Sequence, residues 1–213
     1  MRPEDSPAMR ELASAGHNRK DFAVACHRDE TLIVTGGESD NVETNWAWAY
    51  HLPSDMWHEM VKMNEARFNH GSVALGDELY AFGGYRRGPG YLSTIEVLDL
   101  KREADSWVTL HESTFTKREN PSICAIGRTQ IMIMGGNDLS RLSDILVFDT
   151  ETKNIATVIS DTSFHFCCPN QTYFAATEGS VFALTDHFVK GACIVRFKLA
   201  TREFEMLHER LNE

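Results

Sequence analysis

The chain has 213 residues, of which 42% are hydrophobic and 24% are charged, and this composition is typical of a folded globular domain. Its 21 basic and 31 acidic residues give a formal net charge of −10. This balance argues against a nucleic-acid backbone or an anionic membrane as the main partner, because both attract a positively charged surface. No apolar stretch is long enough to predict a membrane-spanning helix.

The first 15 residues are predicted to form an N-terminal tail. They are charged throughout and lack the apolar core of a signal peptide. The five cysteines are an odd number and contain no Cys-x-x-Cys pair, which favours reduced thiols over a disulfide framework. We therefore predict a cytoplasmic protein.

The first repeat unit covers about residues 16–62 and contains four short apolar runs separated by turn residues. The runs FAVAC and TLIVT flank the turn HRDE, and Gly36 and Gly37 end the second run. The segment AWAYHLPSDMWHEM supplies the third and fourth runs. Because helical spacing is poor and the runs are rich in β-branched and aromatic residues, the unit predicts a four-stranded antiparallel sheet.

The next two units, at about 63–113 and 114–162, repeat this order in phase. Their second runs, LYAF and QIMIM, end at the glycine pairs that begin at Gly83 and Gly135. The first glycines of the three pairs lie 47 and 52 residues apart. The fourth unit, at about 163–213, keeps its apolar runs but has Thr185 and Asp186 where the glycines would stand.

A column of large apolar residues follows the glycine pairs, near the start of each fourth strand. Its members are Trp57, Trp107, Ile155 and Phe204. A sheet of four short strands cannot bury both of its faces alone, so the repeats are predicted to stack around an axis as propeller blades. The column is predicted to pack one blade on the next.

These features resemble kelch repeats: a strand ending in Gly-Gly, an aromatic residue near the start of the last strand, and a period of about 50 residues. The resemblance covers residues 16–213 and is best in the second unit. It implies an all-β, kelch-type β-propeller with four four-stranded antiparallel blades. Kelch propellers usually have more than four blades, so the units form a closed four-bladed ring, part of a larger propeller, or a ring completed by another chain. An incomplete ring is expected to self-associate.

One face of such a propeller carries the long loops. In an antiparallel blade, the loop between strands two and three emerges on the same face as the connection to the next blade. This face combines arginines with tyrosines, which are frequent interface anchors. We predict a partner-binding surface on it, with a protein partner that presents an acidic peptide segment. The predicted contact residues are Tyr85, Arg86, Arg87, Tyr91, Arg67, Arg118 and Arg141.

Signals for catalysis and metal binding are weak. The nine histidines are scattered and show no metal-ligand spacing. His165, Cys167 and Cys168 form the one local His–Cys cluster, which is interpreted as buried or strand-end thiols. We predict no catalytic residues, no metal and no cofactor.

The leading function is therefore a non-catalytic protein-interaction module. The resemblance to propellers of BTB–kelch-type proteins further implies the substrate-recognition part of a ubiquitin-ligase adaptor. The alternative is a kelch-propeller enzyme of the sialic-acid mutarotase or galactose-oxidase type. The copper constellation of tyrosine, histidine and cysteine that the latter requires cannot be assembled from this sequence.

Overall fold

The computed structural model describes residues 18–101, 106–110, 115–160, 162, 164–165, 174–187 and 191–209. Within these residues every regular element is a β-strand, which confirms the all-β prediction. No helix in this part of the chain has the length and apolarity needed to cross a membrane.

The first two blades are four-stranded antiparallel sheets, each with a small hairpin in the loop between its second and third strands. The strands of blade one are β1 (Ala23–His27), β2 (Thr31–Thr35), β5 (Ala47–His51) and β6 (Met56–Met60), and its loop hairpin is β3 (Glu38–Ser39) and β4 (Val42–Glu43). The strands of blade two are β7 (Gly71–Leu75), β8 (Glu78–Phe82), β11 (Ile95–Asp99) and β12 (Val108–Leu110), and its loop hairpin is β9 (Tyr85–Arg86) and β10 (Gly90–Tyr91). In both sheets the strands are paired in chain order from the inner strand outwards.

Blades three and four have longer central strands that continue into the loop region. Blade three consists of β13 (Ser122–Ile126), β14 (Gln130–Asn137), β15 (Arg141–Asp149) and β16 (Ile155–Ile159). Blade four consists of β17 (Phe164–His165), β18 (Phe174–Ala176), β19 (Ser180–His187), β20 (Gly191–Lys198) and β21 (Glu203–Glu209). Both β17 and β18 pair with β19, so a fifth short strand was not anticipated from the repeat pattern.

Three joints hold the four blades together. The inner strands contact in series, β1 with β7, β7 with β13, and β13 with β18. Each joint has its own buried apolar cluster, contributed by the facing surfaces of two neighbouring blades. A closed ring of four blades requires a fourth joint, and the propeller is not closed.

Three members of the predicted column pack at a joint between blades: Trp107 belongs to the first cluster, and Ile155 and Phe204 pack against the second and third, whereas Trp57 is part of none of the three clusters. In three blades its member lies directly opposite a residue of the third strand, as in the pairs Tyr50–Trp57 and Phe197–Phe204, whose ring centroids are 5.1 and 4.9 Å apart. Trp107 is buried and its indole nitrogen donates a hydrogen bond of 2.9 Å to the Val61 carbonyl of the preceding connection.

Backbone hydrogen bonds also link the entrances to the inner strands. The Asn69 amide donates to the Asp21 carbonyl at 2.9 Å, and the Asn120 amide donates to the Asn69 carbonyl at 2.6 Å. All three residues have left-handed φ values, between 49° and 57°, which Asn and Asp tolerate better than most residues. The connections between blades are thereby held in one repeated conformation.

The glycine pairs end the second strand in a conformation that glycine favours. Gly83 and Gly84 have φ values of 60° and 98°, and the other two pairs repeat these values closely. A Cβ atom on Gly83 would overlap the Arg118 carbonyl oxygen of the connection to blade three. The first glycine of this pair is therefore required both by its φ and by the close approach of the next connection.

Replacement of Gly83 tests these two requirements separately. Gly76, in the same blade, has a φ of 63° but no heavy atom within 4 Å of an added Cβ. We expect Gly76→Ala to lower the free energy of unfolding by about 1–2 kcal/mol through backbone strain. Gly83→Ala is expected to lose a further 1–3 kcal/mol, roughly, through steric overlap. Urea denaturation of both variants measures the difference, and equal losses would contradict the close approach.

Candidate functional site

The loop face is built on two buried arginines, one in each connection between the first three blades. Their main-chain carbonyls accept hydrogen bonds from the preceding glycine pair, Gly37 to Arg67 at 2.9 Å and Gly84 to Arg118 at 2.8 Å. Their guanidinium groups donate to the carbonyl of the next pair, Arg67 to Gly83 at 2.6 Å and Arg118 to Gly135 at 2.8 Å. Each arginine thus joins two successive blades at the level of the loops.

The charge of each arginine is compensated beneath the surface. Arg67 pairs at 2.5 Å with Glu96, and both side chains are 0% exposed. Glu96 also accepts hydrogen bonds from the main-chain amides of Asn64 and Glu65, at 2.6 and 3.2 Å. Arg118 makes a bidentate contact of 2.8 and 2.9 Å with Asp144. These pairs position the connections and the loops that rest on them.

This arrangement differs from the prediction that Arg67 and Arg118 contact a partner. Both side chains are fully buried, so neither belongs to the accessible surface. A sequence signal for their structural role does exist. An arginine precedes an Asp or Asn by two residues at the entrance to each of the first three inner strands, as Arg19, Arg67 and Arg118. A position that recurs in phase with the repeat indicates packing within the repeat.

His70 lies under the loop face, in the joint between blades one and two. Its Nε2 is 2.8 Å from the Thr35 hydroxyl oxygen, and a Cβ on Gly36 or Gly84 would collide with its side chain. Burial, reinforced by the positive charge of Arg67, lowers the pKa of His70 to about 3. The imidazole is therefore neutral at physiological pH.

Three short backbone bridges line the loop face, one for each of the first three blades. They join the residue after the arginine to the residue after the glycine pair, in the pairs Lys20–Glu38, Phe68–Tyr85 and Glu119–Asn137. The bridge of blade two alone joins two aromatic residues, whose ring centroids lie 5.4 Å apart. Tyr85 in turn contacts Tyr91 across the β9–β10 hairpin at 5.2 Å, edge to face. The structure thus brings together the two predicted tyrosines and adds Phe68, which was not among the predicted contact residues.

Arg87 ties this cluster to blade one. Its guanidinium contacts Glu38 at 2.5 Å and Glu43 at 2.8 Å, and it lies 5.3 Å from the centroid of the Phe68 ring. The pKa of Glu43 is lowered by a hydrogen bond from the Glu43 main chain and by the contact with Arg87. Arg87 therefore connects the two loop hairpins through contacts within the chain.

The remaining predicted arginines, Arg86 and Arg141, are accessible, in contrast to Arg67 and Arg118. Arg86 is partly exposed in β9, and Arg141 is exposed at the start of β15. Among the described residues, no ion pair involves either side chain. The accessible surface on this side consequently combines a tyrosine cluster with these two arginines. We call it the Tyr85 surface, defined by Phe68, Tyr85, Arg86, Arg87, Tyr91 and Arg141.

Groups that bind metals or react as nucleophiles are few in the described part of the chain. No cluster of three or more His, Cys, Asp or Glu side chains there could hold a metal ion. Burial raises the pKa of Cys124 to about 12, which makes its thiol unreactive. The predicted His165–Cys167–Cys168 cluster lies outside the described side chains.

The sequence matches the model of a known protein family. The KLHDC2/KLHL20/DRC7 Kelch-repeats domain matches residues 10–175, which is most of the chain. The chain belongs to the kelch-repeat family. The matched region of this kelch chain includes the three glycine pairs, the two arginine connections and the whole Tyr85 surface.

Individual relatives support the kelch assignment. Human Kelch-like protein 23 is 37% identical over 73 residues, which is 34% of this chain and 13% of the relative. Rat Kelch-like protein 7 is 30% identical over 103 residues, or 48% of this chain and 17% of the relative. Tip elongation aberrant protein 3 of Schizosaccharomyces pombe is 27% identical over 186 residues, or 70% of this chain and 16% of the relative. The kelch chain thus matches less than a fifth of the length of each of these proteins.

Removal of the Arg67 guanidinium is expected to leave Glu96 as an unpaired buried charge. We expect Arg67→Met to lower the free energy of unfolding by about 3–5 kcal/mol. The double variant Arg67→Met/Glu96→Gln removes the stranded charge as well and is expected to be more stable than Arg67→Met alone. Guanidinium denaturation compares the free energy of unfolding of four proteins: the wild type, Arg67→Met, Glu96→Gln and the double variant. A double variant that loses the sum of the two single losses would contradict the pairing.

The low pKa of His70 predicts a loss of stability in mild acid. The unfolded chain binds a proton near pH 6.5 while the folded chain remains neutral down to about pH 3, so the free energy of unfolding falls as pH falls through this window. From pH 7 to pH 5 the expected loss from this residue is about 2 kcal/mol. His70→Gln should lose less over the same range. Carboxylates contribute equally to both proteins, so the difference in denaturation midpoints isolates the histidine.

Proposed function

We propose that the chain is a non-catalytic protein-interaction module that binds a protein partner through the Tyr85 surface. The observation that carries this proposal is the accessible cluster of Phe68, Tyr85 and Tyr91 beside Arg86. Aromatic residues and arginine are the residue types most enriched among interface anchors. Blades one and three have a Lys–Glu and a Glu–Asn bridge at the corresponding positions, so blade two is the centre of the surface.

The partner segment is proposed to be acidic. The guanidinium groups of Arg86 and Arg141 make no ion pair within the described chain and can each form bidentate contacts with a carboxylate. Arg67, Arg87 and Arg118 are excluded from this role because their charges are already compensated by acidic side chains of the chain itself.

A role as the substrate-recognition part of a ubiquitin-ligase adaptor is the finer proposal. It is supported by the resemblance to BTB–kelch-type propellers and by the similarity to Kelch-like proteins 23 and 7. If a captured partner is a substrate, its abundance should fall in cells that overexpress this chain. The abundance should recover when the proteasome is inhibited. We also propose that the chain self-associates through the open ring and is located in the cytoplasm.

Charge reversal on the Tyr85 surface tests the interaction. We expect Arg86→Glu and Arg141→Glu each to weaken capture of the native partner by roughly thirtyfold, the loss expected for a hot-spot residue, while the melting temperature changes little. Tyr91→Ala should have a similar effect. Affinity capture with quantitative mass spectrometry compares these variants with the wild type.

The matched control is Arg28→Glu. Arg28 is 65% exposed in the hairpin between β1 and β2, at the opposite ends of the strands, and the substitution changes the charge by the same amount. Its ion pair with Asp77 lies at the surface and contributes little to stability, and Asp77 keeps its contact with Lys101. It should capture the same partner as the wild type. Equal capture by all of the variants would contradict the Tyr85 surface, and equal loss in the control would indicate a general effect of charge.

A further inference from the structure

A tyrosine fills the joint between blades two and three. Tyr80, at the centre of β8, is fully buried and lies edge to face against Phe148 with ring centroids 5.5 Å apart. Its hydroxyl oxygen accepts a hydrogen bond of 2.9 Å from Lys153 and donates one of 2.5 Å to Glu78. The phenol ring therefore fills the apolar space, and its hydroxyl is satisfied by a cation and a carboxylate.

The joint between blades three and four has the same framework without the tyrosine. Met132 is the third residue of β14, as Tyr80 is the third residue of β8, and each faces the following blade. Phe148 pairs with Ile131, the second residue of β14, and Phe197 pairs with Val181, the second residue of β19. The two phenylalanines therefore occupy equivalent positions of blades three and four. The apolar framework is thus repeated, with a flexible methionine in place of the phenol ring.

The polar end of the framework is repeated as well. Lys153 and Arg202 each precede the column residue of their blade by two positions, and both have a φ of 58°. Glu78 and Gln130 are the first residues of the corresponding strands, β8 and β14. A cation and a hydrogen-bonding side chain therefore stand at the same end of both joints.

A cleft occupies the joint that lacks the tyrosine. Its volume is about 410 Å³, which is within the range of small-ligand pockets. The lining includes the buried side chains of Ile126, Met132 and Phe197 and the exposed residues Gln130, Glu178 and Arg202. The cleft combines an apolar floor with a polar, accessible rim that carries both signs of charge.

We propose that this cleft is a second binding site, which takes the tyrosine side chain of an extended segment of a partner protein. The ring would pack on Phe197 and Met132, and the hydroxyl would meet the rim at Arg202. An aliphatic side chain would gain no hydrogen bond from the rim, whereas a phenol hydroxyl can accept one from the Arg202 guanidinium. The template for the occupant is Tyr80, a tyrosine borne on an extended strand. The site is formed by the hairpin regions 126–130 and 199–202, away from the glycine pairs, so it does not depend on the Tyr85 surface.

The test uses the whole chain and three probes: the capped peptides acetyl-Gly-Tyr-Gly-amide and acetyl-Gly-Phe-Gly-amide, and p-cresol. NMR titration of a sample labelled at the methionine methyl groups follows Met132. We expect saturable binding of the tyrosine peptide and about tenfold weaker binding of the phenylalanine peptide, since the latter lacks one hydrogen bond to a charged group.

Two variants decide the outcome. Met132→Tyr fills the cleft as Tyr80 fills the preceding joint and should abolish binding of the tyrosine peptide. Arg202→Met, at an exposed position, should bind the two peptides equally, and it keeps the test decisive if Met132→Tyr does not fold. Tyrosine-peptide binding that Met132→Tyr leaves unchanged, or a preference for tyrosine that survives Arg202→Met, would overturn the proposal. Binding of p-cresol without binding of the tyrosine peptide would also overturn it, in favour of a site for free small phenols.

Discussion

The contact between a glycine pair and a buried arginine is the interaction on which the rest of this structure depends. The arginine carbonyl can approach the preceding pair only because the pair has no side chains, and its guanidinium then reaches the carbonyl of the next pair. A buried cation is tolerated only when it is paired, so the contact also requires an acidic residue at a third position, Glu96 in one blade and Asp144 in the next. The glycine pair, the buried arginine and its acidic partner are thus parts of one interaction. This interaction positions the loops of the loop face.

Much of the fold was predictable because the repeat itself carries the information. The glycine pairs marked the ends of the second strands, and the column from Trp57 to Phe204 marked the fourth strands, since both features recur wherever the same packing problem recurs. The burial of Arg67 and Arg118 was open to prediction by the same logic, because an arginine recurs in phase with the repeat at positions 19, 67 and 118, whereas Arg86 has no counterpart in the other units. The acidic partners were not predictable, because Glu96 and Asp144 meet these arginines only in the folded chain. The cluster around Tyr85 could be predicted only in part, because Phe68 reaches it from a different connection.

The three joints solve the same packing problem with different side chains. Trp107 contributes to the first, Tyr80 and Phe82 to the second, and Met132 and Met134 to the third. Because each blade contacts only its neighbours, a change of residues in one joint leaves the others intact. This independence allows Tyr80 to occupy one joint while the next retains a cleft with a cation and a hydrogen-bonding side chain at the corresponding end.

The two salt bridges of Arg87 have a consequence for recognition. They fix the β3–β4 hairpin of blade one to the β9–β10 hairpin of blade two, and the Phe68 ring supports the same guanidinium from below. Short hairpins on a propeller would otherwise sample many arrangements, and a partner that selected one of them would incur the corresponding entropic penalty. Here that penalty is met when the chain folds, so the tyrosines present a surface whose shape is set before any partner arrives.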